Sequence, residues 1–256
     1  MILRRLGNKK RMAKELIKYF PEHKIYIEPF FGAGGMFFNK PKAKYNIVND
    51  IDSNVFNLFQ VVSNQKEELE KAFYNIPIHS DLLNYWKKNE ETEPIKKALR
   101  FLLMSNFTLM GTGSQLSYLT NDNKLNVLEM IDATSKFMFG VTFDNSDFRK
   151  FIPKISFRGR ELDKSYAFIY CDPPYLGTTD NYSDSFKEED SNDLFNTLEE
   201  IGCKFAMSEF DHPFILEQAE ERGLNIIYIG ERQNIKNRRT EVLITNYENR
   251  QQSLFA

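Results

Sequence analysis

The stretch AFIYCDPPYLG, residues 167–177, sets a carboxylate, two prolines and a tyrosine directly after an apolar run. Each proline lacks the backbone N–H that a sheet ladder needs, so a central strand stops at Asp172 and the chain turns outward stiffly. A fixed carboxylate and the ring of Tyr175 are then left at a strand's C-terminal edge. In open α/β sheets ligands bind outside that edge. Such a corner can accept hydrogen bonds and present an aromatic face.

Three other segments have matching character. In YIEPFFGAGGMFF, Gly32, Gly34 and Gly35 follow a short apolar strand. Glycines there let the backbone approach a ligand and expose N–H groups, and they equally suit a tight strand-to-helix turn. Their spacing is not the GxGxxG of a dinucleotide fingerprint. NIVNDID puts Asp50 at the end of the next strand, where a carboxylate can accept hydrogen bonds from ribose hydroxyls or simply form a turn. FDNSDF, residues 143–148, ends a third strand with a polar hook, Asp147, and an apolar plate, Phe148, which suits an adenine ring.

The elements that must position these residues alternate between helix and strand, the pattern of an α/β fold. Strands are predicted at 24–27, 45–48, 140–143, 166–171, 203–207, 225–229 and 241–246. Helices are predicted at 10–19, from Ser53 as N-cap through 62, at 126–138, 190–201 and 213–222, with helical text over 64–104. Residues 105–125, rich in Ser, Thr, Asn and Gly, are expected to form a long loop or hairpin, and long irregular segments tend to be functional. The layout is a catalytic domain of residues 1–54 and 139–256, interrupted by a mostly helical insertion at 55–138.

Composition bounds the rest. The 256 residues carry a net charge of -2 and are 41% hydrophobic, enough for one sizeable core. Cys171 and Cys203 lie in apolar runs and read as reduced core residues. No Cys/His spacing suggests a metal, and no apolar run reaches spanning length. A cytoplasmic protein with no membrane partner is expected. Basic residues cluster near both ends, at Arg4, Arg5, Lys9, Lys10 and Arg11, and at Arg232, Lys236, Arg238 and Arg239. They would form solvated faces or flank a polyanion.

EPFFGAGG, NDID and CDPPY, in that order, resemble the S-adenosyl-L-methionine-dependent amino-methyltransferases, and most of all the Dam-type DNA adenine-N6 methyltransferases. The Gly-Lys segment LGNKKR and the late strand RRTEVLITNY fit the same arrangement, so the resemblance covers nearly the whole chain. It implies a Rossmann-like seven-stranded mixed sheet with a DNA-recognition insertion. It also implies that Phe31, Gly32 and Gly34 line the cofactor's methionine side and that Gly7, Asn8 and Lys9 close over it. Asp50 would hold the ribose, Asp147 and Phe148 the cofactor's adenine. Relatives often carry an aromatic residue where this chain has Arg5.

The chemistry implied at DPPY is methyl transfer to an exocyclic amine. The Asp172 side chain and the Pro173 carbonyl would accept the two N–H bonds, offsetting the positive charge that develops on nitrogen. Tyr175 would stack on the base, which must be flipped from the duplex. This chemistry needs no metal, and His23, His79 and His212 read as ordinary. Base or phosphate contacts are expected from Asn106, Ser114, Gln115, Tyr118 and Asn121, and from Lys236, Arg238 and Arg239. Relatives that read GATC carry an arginine in this hairpin that the chain lacks. Double-stranded DNA is the expected partner, with a cognate restriction endonuclease as a further one. Rival expectations are an RNA adenine methyltransferase, a non-catalytic DNA-binding subunit, and a nicotinamide-dependent oxidoreductase, which the glycine spacing disfavours.

Overall fold

The computed structural model describes residues 2–3, 9, 12–117, 123–160, 162–177, 186–233 and 238–248. Gly7, Asn8, Tyr118, Asn121, Lys236 and the Arg238 side chain lie outside the described residues. In chain order the strands are β1 (Ile25–Glu28), β2 (Tyr45–Asn49), β3 (Val141–Asp144), β4 (Ala167–Cys171), β5 (Lys204–Phe210), β6 (Asn225–Gln233) and β7 (Arg238–Thr245). The helices are α1 (Ala13–Ile17), α2 (Ser53–Asn64), α3 (Lys66–Asn75), α4 (Ser80–Lys88), α5 (Pro94–Phe107), α6 (Asn123–Met138), α7 (Phe148–Lys154), α8 (Glu188–Ile201) and α9 (Pro213–Glu221).

The strands form one sheet in the order β3-β2-β1-β4-β5-β7-β6. From β3 to β5 every pairing is parallel, with Ile27 opposite Ile47 on one side and Ile169 on the other. β7 pairs antiparallel with both β5 and β6. The sheet is therefore the seven-stranded mixed sheet expected.

Central strands covered on both faces read as continuous apolar runs, and β1 and β4 are buried at every position. Alternate residues serve opposite faces. Tyr26, Phe168 and Tyr170 join a core with α2, α5 and α6, whereas Ile25, Ile27, Ile169 and Cys171 join a second core with α7, α8 and α9. Cys171 and Cys203 are free and buried. The helical stretch from α2 to α6 thus shares one continuous core with the first face of the sheet.

Several boundaries differ from expectation. Asp52, not Ser53, caps α2, its carboxylate accepting from the Asn54 N–H at 2.9 Å. The first helix is shorter than 10–19. α7 forms although Pro153 lies inside it, because Asp147 caps its start and Phe148, Phe151 and Ile152 are buried. α5 runs on to Phe107, drawing Asn106 into the core beside Leu102, Leu103 and Phe107. The polar text of 105–107 concealed that apolar stripe.

β1 leaves the sheet into a tight turn. Gly32 and Gly34 both take positive φ, +54° and +71°. A Cβ on Gly34 would lie 2.4 Å from the Phe38 ring, while one on Gly32 would meet nothing within 4 Å. Gly34→Ala should therefore cost about 1–3 kcal/mol through strain and overlap. Gly32→Ala should cost only the left-handed strain of about 1–2 kcal/mol. Urea unfolding midpoints would check this; a larger loss at Gly32 would contradict the contact seen at Gly34.

Candidate active site

The strand order reverses between β1 and β4, and at such a switch point the loops diverge and leave a crevice at the strands' C-terminal ends. The glycine turn follows β1, Asp50 follows β2, the hook of Asp147 and Phe148 lies beyond β3, and Asp172 follows β4. Because these four strands run parallel, all four segments share that edge.

Carboxamides and carboxylates tie the segments together. Asp50 accepts from the Gly32 N–H at 2.5 Å with one oxygen and from the Asp52 N–H at 2.8 Å with the other. Asn49, 1% exposed, donates to the carbonyls of Pro29 and Ser146 and accepts from the Ser146 N–H. Asn145 donates to the carbonyls of Asp50 and Ile51. The two asparagines were missed in the sequence; an asparagine at or just past the end of a strand, buried Asn49 closing β2 and exposed Asn145 after β3, was their one signal. Beneath the turn, Phe31 is buried among Phe37, Phe38, Phe59 and Phe143. It supports the turn from below rather than lining an open cofactor surface, because the ring is enclosed on all these sides.

The hook is also more occupied than its sequence suggests. Asp147 caps α7 through the Arg149 N–H at 2.8 Å, and Arg149 reaches on to Asp190 and Asp193 at 2.6 and 2.7 Å. Phe148 is buried, with Phe30 and Phe186 on its ring and the Arg149 guanidinium 4.5 Å from its centre. It is a packed wall, not an open plate.

At the DPPY corner, Asp172 is 22% exposed and Lys9 only 3%. The Lys9 ammonium lies 2.9 Å from Asp172 and 3.0 Å from Glu241, and it bonds the Tyr175 hydroxyl. Tyr175 donates to Glu241 at 2.7 Å, and its ring carries the Lys9 ammonium at 4.2 Å and the Phe210 ring at 4.7 Å. Lys9, expected to close over the cofactor's methionine side, is placed on the DPPY carboxylate. Tyr175, expected to stack on a base, is buried and anchored in the same cluster. A buried ammonium is tolerated only with close anionic partners, which Asp172 and Glu241 supply.

Two further acids were missed. Glu209, 1% exposed, accepts from the Leu176 N–H at 2.8 Å and the Phe210 N–H at 2.5 Å. Burial pushes its carboxyl up to about 8, against the opposing pull of those N–H groups and Lys9. Glu28, at the end of β1, accepts from the Tyr26 hydroxyl at 2.7 Å. Burial pushes it to about 8 as well, with the nearby charges of Asp172 and Asp50 acting in the same sense. Burial lowers Lys40 to about 8, and its ammonium lies 3.9 Å from the Tyr26 ring centre. Among the described residues no group of three His, Cys, Asp or Glu is arranged to hold a metal ion.

The family model described as D12 class N6 adenine-specific DNA methyltransferase matches residues 6–244. The chain belongs to this family. It is similar to a DNA adenine methylase of Haemophilus influenzae, 30% identical over 66% of this chain and 61% of that protein. It is also similar to the retron Ec67 DNA adenine methylase of Escherichia coli, 27% identical over 89% of this chain and 80% of that protein. A third relative is the type II methyltransferase M1.LlaDCHI of Lactococcus lactis subsp. cremoris, 23% identical over 95% of this chain and 94% of that protein. The chain thus spans less than two thirds of the Haemophilus protein's length.

In this member of the family the residues expected to meet DNA are divided. Asn106 is 2% exposed and donates to the carbonyls of Ile2 and Leu102, so it is a core residue and cannot read a base. Ser114 and Gln115 are exposed on a compact loop closed by the Thr108–Leu116 bridge and by the Leu109 N–H on the Gln115 carbonyl. Arg239, expected at a phosphate, turns inward onto the carbonyls of Leu176 and Gly177 at 3.0 and 3.3 Å. None of the helices described is long and apolar enough to cross a membrane.

Glu28 yields a pH prediction with a definite sign. Its folded pKa, about 8, lies above the ordinary 4.5. Between these values the folded chain holds a proton that the unfolded chain has released, so stability falls as pH rises through that window. Glu209 acts in the same direction. Glu28→Gln keeps an acceptor for Tyr26 without the titration and should make the decline shallower. Melting temperatures from pH 5 to 8 would test this; an equally steep decline in the variant would remove Glu28 as a source.

Proposed function

We propose that this methyltransferase modifies the N6 amine of an adenine flipped out of double-stranded DNA, with Asp172 and Pro173 as the groups that receive the amine. The observation that carries this is Asp172 itself. It is a partly exposed carboxylate at the switch point, oriented by Lys9 and followed by two prolines that hold the Pro173 carbonyl in place.

The exocyclic amine of adenine is a weak nucleophile because its lone pair is delocalised into the ring. Hydrogen bonds from its N–H groups to the Asp172 carboxylate and the Pro173 carbonyl favour a more pyramidal nitrogen and offset its developing positive charge. The nitrogen gives up one proton to water as the methyl group is gained. Flipping costs a few kcal/mol; a hydrogen bond to the charged Asp172 contributes about 1.5–3 kcal/mol and one to the neutral Pro173 carbonyl about 0.5–1.5 kcal/mol, so together they can offset extrusion.

S-adenosyl-L-methionine, when bound, supplies a methyl group activated on a positively charged sulfur. The residues at the turn fit it. Beside Gly32 there is open space where a Cβ would stand. Both Asp50 oxygens accept a backbone N–H, yet a carboxylate oxygen has a second lone pair for a ribose hydroxyl. Gly32, Gly34 and Asp50 would hold the cofactor, with Asp147 and the Phe148 wall bounding its adenine end.

The helices between α2 and α6, with the exposed Ser114 and Gln115, are the proposed target-recognition part. The type II name of the Lactococcus relative supports a restriction setting with a cognate endonuclease, and a DNA substrate is consistent with a cytoplasmic location.

Single-molecule sequencing of DNA from a methylation-free bacterial host expressing the chain tests the reaction. N6-methyladenine at one short motif, absent with Asp172→Ala, is expected. Methylation undiminished by Asp172→Ala would overturn the role of that carboxylate. Asp50→Ala should weaken cofactor binding by roughly 10- to 100-fold, the loss of a charge-assisted hydrogen bond. Calorimetry with S-adenosyl-L-methionine reads this directly, and an unchanged dissociation constant would rule Asp50 out.

A further inference from the structure

Arg239 lies two residues before Glu241 on β7, so the period of a strand puts both side chains on one face. That face looks onto the exit of the DPPY corner. Glu241 takes the Tyr175 hydroxyl, and Arg239 takes the next two carbonyls, Leu176 and Gly177. On the neighbouring strand β5, Glu209 takes the Leu176 N–H. The N–H and the carbonyl of Leu176 are thus each held by a side chain, from two different strands. Phe210 lies under this arrangement, its ring 4.7 Å from that of Tyr175 and 5.5 Å from the Arg239 guanidinium. Gly177 completes the fit. It takes φ +71°, and the position of a Cβ there lies 3.4 Å from the guanidinium nitrogens.

We propose that Arg239 is a positioning residue for methyl transfer, clamping Leu176–Gly177 so that the DPPY corner is held in one geometry. This rests on the role of Asp172 and Pro173 given above. The corner has to present a carboxylate and a carbonyl at the spacing of one amine's two N–H groups. Prolines stiffen its entry, but nothing in their chemistry fixes its exit. A planar guanidinium with several donors can hold two successive carbonyls at once, which a lysine ammonium does less well. Misplacing catalytic groups by about 1 Å can cost about 100-fold in rate. The competing role, suggested by the basic run around Arg239 in the sequence, is a phosphate contact.

The two roles separate experimentally. Arg239→Ala and Arg239→Lys would be compared with the unaltered chain by hydrogen exchange, by methyl-transfer kinetics on unmethylated plasmid DNA, and by binding to a duplex oligonucleotide over a range of salt. A clamp predicts faster amide exchange across 172–177 in Arg239→Ala and a kcat about 10- to 100-fold lower. KM for DNA and the salt dependence of binding should be unchanged, with part of kcat recovered in Arg239→Lys. Unaltered exchange across 172–177, with weaker DNA binding whose log–log salt slope drops by about one, would overturn the clamp and make Arg239 a phosphate contact. Exchange is read without turnover, so failure of the Asp172 assignment and failure of the clamp give different results.

Discussion

Everything at the site depends on one constraint of sheet topology. β1 and β4 are parallel neighbours, but the chain leaves β1 toward β2 on one side and leaves β4 toward β5 on the other. Their exit loops must therefore part, and the gap between them is the place in the sheet where backbone from two strands can surround a ligand without closing over it. The glycine turn occupies one lip and Asp172 the other. The parallel direction of β2 and β3 then brings Asp50 and Asp147 to the same edge.

The cost of building a site there is the burial of charge. Glu28, Asp50, Glu209 and Glu241 are all buried, and Asp172 is partly so. The structure manages them in two ways. Glu28 and Glu209 are pushed toward neutrality near physiological pH by burial. Asp172 and Glu241 share the Lys9 ammonium. Removing one member of such a pair leaves the other uncompensated, at a cost of about 3–5 kcal/mol. Lys9 thereby links the start of the chain to strands β4 and β7, which are far from it in sequence.

The opposite ends of the same corner show two kinds of rigidity. Pro173 and Pro174 restrict the backbone covalently, whereas Leu176 and Gly177 are restricted by side chains from β5 and β7. The aromatic cluster around Phe31 does for the glycine turn what Phe210 does for the DPPY exit, filling the space beneath a loop whose upper surface must stay open.

What the sequence determined by itself was the local chemistry. Short apolar runs specified the strands, glycines and prolines specified where they end, and the order of EPFFGAGG, NDID and CDPPY specified the methyltransferase family. These signals are legible because they act over a few residues, where backbone sterics and local apolar content decide. Tertiary structure alone decided which polar residues face the crevice. Asn106 and Arg239 carry the same side chains whether they meet DNA or the protein's own backbone. Packing of α5 buried the first, and the pairing of β5 with β7 turned the second onto Leu176 and Gly177. Glu209 and Glu241 lie in strand text and Lys9 in a basic run, and none of them is marked there as a partner of Tyr175 or Leu176. Their contacts cross 33 to 166 positions of sequence, and only the folded sheet brings such distant groups within hydrogen-bond reach.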